Sequence, residues 1–458
     1  MKKTNRVWLK GIVAALAFAG LSSLSHAEGA FKTPDNAFSG AVMFSATPPG
    51  PVYSGTEVTV SGRNFRQGQL ITLERGSTVL NAQPYVVSED GTFRGTVSIP
   101  EDAVVGLQPI VVKVAGPDAA LVVDLKVSPQ VPLSGQEQYD LTAIQPAAGL
   151  YQSAYSSKNN ALFVTAAVGR PPVSDAHLLR VNPDNMEVVA SIEPATANER
   201  TGLYAPYGIG LDDEKETVWV TAGRQGSVTV YNQSDLSLVK QFEMGIVPGG
   251  RDVVVGGTKV FISSPGGSDI YVFDTEKLEL TGTITIRSQM PRQAFKPMSL
   301  AFDAASQRLY TVSLATPEVA VINTSTNAVE HVFTVPGLKN GSGIAADARN
   351  ARIYVVGQNT DGMMILDANT GDLLHTVATG AGSLNVVFNP VDGLAYVANR
   401  AAGTVTAVNA EGEIVANLDI GTLPNHLSVD AQGRVFVVNK ARGEDDPRGN
   451  QLTRIVRK

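Results

Sequence analysis

Apolar and polar residues alternate along most of the chain in short runs, each closed by Gly, Pro, Asn or Asp, which is the pattern of half-buried strands joined by turns. The clearest copy is LAYVANRAAGTVTAVNAEGEIVANLDI at 394–420. An aromatic-bearing stretch (394–398) meets a Gly-bearing turn (400–403), a second stretch (405–408), a polar turn (409–413) and a third stretch (414–418). The same aromatic-led strand recurs at Phe163, Trp219, Phe261, Tyr310, Tyr354, Tyr396 and Phe436, every 40–56 residues. Several strands per repeat at that period predict a radial array of small sheets, a β-propeller.

Ahead of the repeats the pattern changes. Lys2, Lys3, Arg6 and Lys10 precede an apolar run at 11–21, with Ser25 and Ala27 set for a cut after Ala27. This reads as a cleavable signal over 1–27, since the run is shorter than the roughly 20 apolar residues of an anchor. Export then places the product in the periplasm of a Gram-negative cell, with no transmembrane segment in the mature chain. A polar, flexible leader is expected over 28–43. Short alternating runs at 57–61, 70–73, 85–87, 93–99, 109–114 and 121–127 predict a β-sandwich over 44–128. The stretches GTEVTVSGRNFRQGQ (55–69) and DGTFRGTVSIP (90–100) resemble bacterial immunoglobulin-like modules of the TIG type. A Pro- and Gly-bearing linker follows at 129–138.

The expected fold is therefore all-β, a seven-bladed β-propeller over 139–458 preceded by a small Ig-like sandwich. A full repeat, such as 207–244, carries four strands a to d. The last copy has only a, b and c before Lys458. An open edge invites aggregation, so the strand-like segment 139–144 is expected to supply its strand d and close the ring. GLYQSAY (149–155), PYG (206–208), NPVDGLAYVANRAAG (389–403) and LPNHL (423–427) together give a propeller that resembles the YncE family of periplasmic seven-bladed propellers with YVTN-type repeats. The sandwich is a departure from the simplest members of that family. The resemblance implies a capacity to bind single-stranded DNA.

Strand direction alternates within a blade, so b–c and d–a loops share one face and a–b and c–d loops the other. Arg170, Arg200, Arg224, Arg251, Arg287, Arg292, Lys296, Lys339, Arg400, Lys440 and Arg442 fall on the first face. Asp212, Asp213, Glu214, Glu216, Asp303, Asp347, Asp372, Asp392, Glu411 and Glu413 fall on the second. Two readings stay open. The first face binds an anion, because converging cations focus a positive potential, or its cations are solvated loop residues offset by Glu193, Glu199, Asp269, Glu318, Asp361 and Glu444–Asp446. The start of each strand a lines the channel mouth, which makes Tyr151, Tyr207, Arg251, Met298, Ser342, Asn385, Asn425 and His426 contact candidates. Arg224, Arg400 and Lys440 hold equivalent b–c positions, and Arg292 lies in a loop of that face. Tyr151 and Tyr207 either stack a planar group or pack the inner ring.

Formal charge is −7, and the signal would take four positive charges with it, so a broadly basic nucleic-acid binder is not expected. Cysteine is absent, which excludes disulfides, thiolate metal sites, a Cys nucleophile and a lipidated Cys. Of five histidines, only His426 falls near the channel, and one His makes no metal site. No H-E-x-x-H, G-x-S-x-G or P-loop occurs. Asn182, Asn232, Asp274, Asn323, Asp367 and Asn409 recur at strand-c ends, as turn caps do. The expected protein is a non-enzymatic recognition propeller without cofactor or metal, whose partner is an envelope protein or an anionic ligand such as single-stranded DNA. The alternatives are a propeller hydrolase or quinone-dependent oxidoreductase, for which only Arg251, Asp252 and His426 are suitably placed, and a structural envelope scaffold.

Overall fold

The computed structural model describes residues 38–458, so the expected signal and most of the expected leader lie outside the described residues. Strands dominate throughout, and the single helical element assigned among the described residues is one 3-10 turn, Gln136–Gln138.

Residues 38–128 form two facing sheets. One orders Ala41–Ala46, Glu57–Arg63 and Phe93–Ser98. The other orders Thr78–Val79, Leu70–Arg75, Gly106–Ala115 and Ala119–Val127, with Tyr85–Val86 also on Leu70–Arg75. Alternate residues of both sheets, among them Val58, Val60, Ile71, Leu73, Phe93, Val97, Ile110 and Val112, meet in one core. Residues 41–43, expected as the end of a leader, belong to a strand. Ala41–Ala46 pairs along Glu57–Arg63 because Val42, Phe44 and Ala46 are a period-two apolar set that packs on this core.

The linker is not free either. Backbone bonds join Ser134 and Asn417 in both directions, and the Asn417 Nδ2 donates to the carbonyls of Val131 and Pro132 at 3.0 and 3.2 Å. Gly135 sits here at φ 68°, where a Cβ would lie 2.9 Å from the Val415 carbonyl, so a side chain is excluded twice over.

From residue 139 onward the chain builds seven four-stranded antiparallel sheets, numbered here one to seven in the order of their first strands. Six are consecutive meanders. The seventh orders Pro424–Val429, Val435–Asn439, Leu452–Arg457 and then Tyr139–Ile144, whose six residues pair with Leu452–Arg457. First strands of successive sheets touch in cyclic order, and Leu150–Ser156 of sheet one touches Pro424–Val429 of sheet seven. The recurring aromatics explain the layers. Phe163, Trp219, Phe261, Tyr354, Tyr396 and Phe436 are at most 1% exposed and Tyr310 is 3% exposed. Cores form between neighbouring sheets, as where Phe261, Ile270 and Val272 pack on Leu300 and Leu309. Each such side chain contributes roughly 1.5–3 kcal/mol over exposure. The longest interval, after Phe163, holds an extra hairpin of Thr196–Asn198 and Gly202–Leu203.

Candidate functional site: a cationic mouth

The site begins with a backbone irregularity. In sheets one, four, five, six and seven the pairing of the first two strands slips at the start of the first strand, at Leu150/Ser153, Pro297/Leu300, Gly341/Gly343, Ser383/Asn385 and Pro424/His426. Such a bulge re-aims the side chains beside it. Here they join one sheet to the next around the axis. The Gln152 Oε1 accepts from Ile209 N–H at 3.0 Å, and its Nε2 donates to Asp252 at 3.2 Å. Leu300 N–H donates to Asp252 at 2.9 Å, Ser299 Oγ–H to the Ser342 carbonyl at 2.6 Å, and Leu427 N–H to Asn385 at 2.9 Å. Ser153 N–H points at the His426 Nδ1 at 3.4 Å. Inside this belt runs a cavity of about 320 Å³ lined by all seven first strands, Ser153, Asp252, Asn385 and His426 among them. Burial raises the Asp252 carboxyl above its ordinary range against the pull of its donors. Burial, with Arg251 nearby, lowers His426 to about 3, so its imidazole is neutral at ordinary pH.

On the b–c side of the belt four cations gather around two tyrosines. Arg251 and Lys440 each lie 4.8 Å from the centre of the Tyr151 ring. The Tyr151 and Tyr207 rings meet edge to face at 4.9 Å. The Arg224 Nε donates to the Tyr207 hydroxyl at 2.8 Å. Arg400 donates to the Asn425 amide oxygen, and the Asn425 Nδ2 donates to the Tyr151 carbonyl at 2.6 Å. Their backbones are pinned, Arg400 N–H to the Gly382 carbonyl at 2.9 Å and Lys440 N–H to that of Leu423 at 3.0 Å.

The electrostatics show how close these groups are. Burial, then Arg400, Arg251 and Arg224, lowers Lys440 to about 8. Arg400 is lowered by burial and by Arg251. The Arg251 Nη1 is buried without a hydrogen-bond partner. None of the ion pairs among the described residues includes Arg224, Arg251, Arg400 or Lys440.

Four of the eight acids expected to offset this face have partners of their own. Glu318 accepts from Ser288 Oγ–H at 2.6 Å and Gln289 N–H at 2.7 Å, and Asp269 accepts from Thr285 Oγ1–H at 2.6 Å. Asp446 accepts from Arg442 N–H at 3.0 Å. Asp361 takes Lys126 at 2.7 Å and Gly382 N–H at 2.6 Å. On the opposite face Asp212, Asp303 and Asp347 each cap the turn that follows them. Strand-c caps recur at Asn182, Asp274, Asn323, Asp367 and Asn409, whereas the Asn232 side chain donates to Ser237 Oγ.

Of the residues singled out from sequence, the structure brings together Tyr151, Tyr207, Arg224, Arg251, Arg400, Asn425 and Lys440. Arg292, Asn385 and His426 stand apart from them. Arg292 is exposed in a separate loop depression with Arg287 and Gln293. Asn385 is buried and its amide oxygen is committed to Leu427 N–H, and His426 lines the channel beneath the mouth. Each tyrosine is partly exposed and contacted by arginine or lysine. Sequence reasoning missed the docking of residues 38–128 on this same face. Lys126 reaches Gln358 and Asp361, Arg442 donates to the Pro49 carbonyl at 2.6 Å, and Ala401 borders a groove of about 340 Å³ with Val52 and Lys126. These partners lie more than 200 residues apart, so no local signal could have joined them. Among the described residues no group of three or more His, Cys, Asp or Glu could hold a metal, and no helix is long and apolar enough to cross a membrane.

An all-β ring of four-stranded sheets with a central cavity defines a β-propeller. Its sequence is similar to the uncharacterized protein YncE of Salmonella typhimurium, 26% identical over 333 residues that cover 68% of this chain and 88% of the relative. YncE of Escherichia coli K12 is 23% identical over 327 residues, with the same shares covered. Among solved structures, virginiamycin B lyase from Staphylococcus aureus overlays with a TM-score of 0.55 at 10% identity, covering 69% of this chain and 99% of that one. The WD40 propeller domain of Doa1 overlays at 0.52 and 12% identity, covering 70% and 97%. At such identities the structural likenesses carry the fold alone. No family model matches the chain.

Proposed function

We propose that this chain is a non-enzymatic recognition protein of the periplasm, a closed seven-bladed propeller with an Ig-like sandwich, which binds an anionic ligand at its cationic mouth. The observation that carries the reading is the convergence of Arg224, Arg251, Arg400 and Lys440 without an acid in any ion pair with them. Four positive charges held together at the edge of a low-dielectric wall repel one another, and an anion relieves that repulsion while gaining charge-assisted hydrogen bonds. Single-stranded DNA, which the family resemblance of the sequence implies, is the first such ligand to test. Recognition is favoured over hydrolysis because Asp252 and His426, the two groups suited to proton transfer, are engaged in the belt.

The test is a titration of a fluorescent single-stranded oligonucleotide at two salt concentrations, with wild type and with Arg224, Arg400 and Lys440 all changed to Ala. Salt-sensitive binding that disappears in the triple variant is expected. Binding unchanged by the substitutions, or none at all, sends the search to protein partners.

A further inference from the structure

We propose, resting on the anion-binding reading above, that the mouth selects a compact, multiply charged phosphate group, free or terminal on a longer molecule, and does not select stacked bases. Three observations lead there.

The tyrosines are occupied. Arg251 and Lys440 both sit against the Tyr151 ring at 4.8 Å, and Arg224 holds the Tyr207 hydroxyl. A base sliding onto either ring would displace the cations that make the site attractive. The rings act instead as posts that fix cations in place through cation–π and hydroxyl contacts.

The cations share one small space. Lys440 lies close enough to Arg400, Arg251 and Arg224 to feel all three, and the Arg251 Nη1 is buried among them without a hydrogen-bond partner. One dianion bridging several of them relieves more repulsion than separate monoanions strung along a polymer. Guanidinium forks also match phosphate oxygens bidentately.

The surroundings favour end-on approach. Residues 38–128 stand on the same face, over the b–c loops of sheets five, six and seven, through Asp361, Ala401 and Arg442. A chain lying flat across the mouth meets that wall. Beneath the mouth the cavity is lined by Ser153, Asp252, Asn385, Ser428 and a neutral His426, none of them a cation, so recognition by positive charge ends at the rim.

The probes are inorganic pyrophosphate and one oligonucleotide made with and without a 5′-phosphate. Calorimetry should show one pyrophosphate bound per chain, displacing the oligonucleotide. Arg251→Met and Lys440→Met, each checked for an unchanged melting temperature, should weaken pyrophosphate about tenfold or more. A 5′-phosphate that strengthens oligonucleotide binding about tenfold points to a terminal group. Pyrophosphate displacement without that gain points to a free anion. The proposal is overturned if the oligonucleotide binds in a salt-sensitive way, is lost in the triple variant, and is neither displaced by pyrophosphate nor helped by a 5′-phosphate. Absence of binding by every probe overturns the anion-binding reading as well.

Discussion

Two buried titratable side chains of the belt carry opposite pH signatures. Asp252 is raised by burial, so its contribution to stability is complete below the ordinary carboxylate range and is lost as pH rises through its folded-state value. His426 is depressed to about 3, so below pH 6.5 the unfolded chain takes up a proton that the folded chain refuses. Stability therefore falls as pH drops from about 6.5 towards about 3. Urea unfolding followed across that window should show a shallower fall in His426→Gln than in wild type, and equal slopes would remove this account. Asp252→Asn places an amide N–H against one of three donors, Gln152, Val253 or Leu300, and should lower stability by about 1–3 kcal/mol. At the mouth, Lys440 titrates near 8, and a bound anion favours its charged form. Oligonucleotide affinity should fall as pH passes through about 8 in wild type and stay level in Lys440→Met.

The strands and their repeat were legible because the alternation is strict and each copy leads with an aromatic that the structure buries, from Phe163 to Phe436. The strand-like segment 139–144 ahead of the first copy was legible too, and it pairs with the third strand of the last copy. Other features were harder to read. Residues 41–43 read as leader, since the apolar residues of this strand need a core built by strands as distant as Ala119–Val127. Bulges at the first strands were invisible, because a one-residue slip leaves the sequence pattern unchanged while it turns Asn385 into a staple. Three of the b–c and d–a cations converge with Arg251 and most do not, a matter of loop course that period alone does not encode. The closing strand itself is testable. Tyr139 is 4% exposed and meets Tyr396 edge to face at 6.4 Å. Tyr139→Ala should lower stability by about 3 kcal/mol in urea unfolding. A change below about 1 kcal/mol, within the reach of an ordinary surface substitution, would mean that this strand contributes little to closure.

Across the whole molecule, polarity comes from turn chemistry on one face and from unpaired cations on the other. Acids such as Asp212, Asp303 and Asp347 cap turns, so they need no ligand to account for them. The cations at the mouth contact Tyr151, Tyr207 and Asn425 but form no ion pair with an acid. The N-terminal unit is latched beside them through Lys126 and the buried Asp361. Removing one partner of a buried pair leaves a charge uncompensated, so Lys126→Ala should loosen the unit, seen as faster proteolysis within 129–138 and a larger radius of gyration in solution scattering. An unchanged radius and cleavage rate would show that the remaining contacts suffice.

The most direct measurement is the salt dependence of oligonucleotide binding for four single substitutions, Arg224→Ala, Arg251→Ala, Arg400→Ala and Lys440→Ala. If these side chains form one anion site, each weakens binding and lowers the slope of log affinity against log salt by about 1. Slopes that stay at the wild-type value in all four would contradict a shared site at the mouth of the propeller.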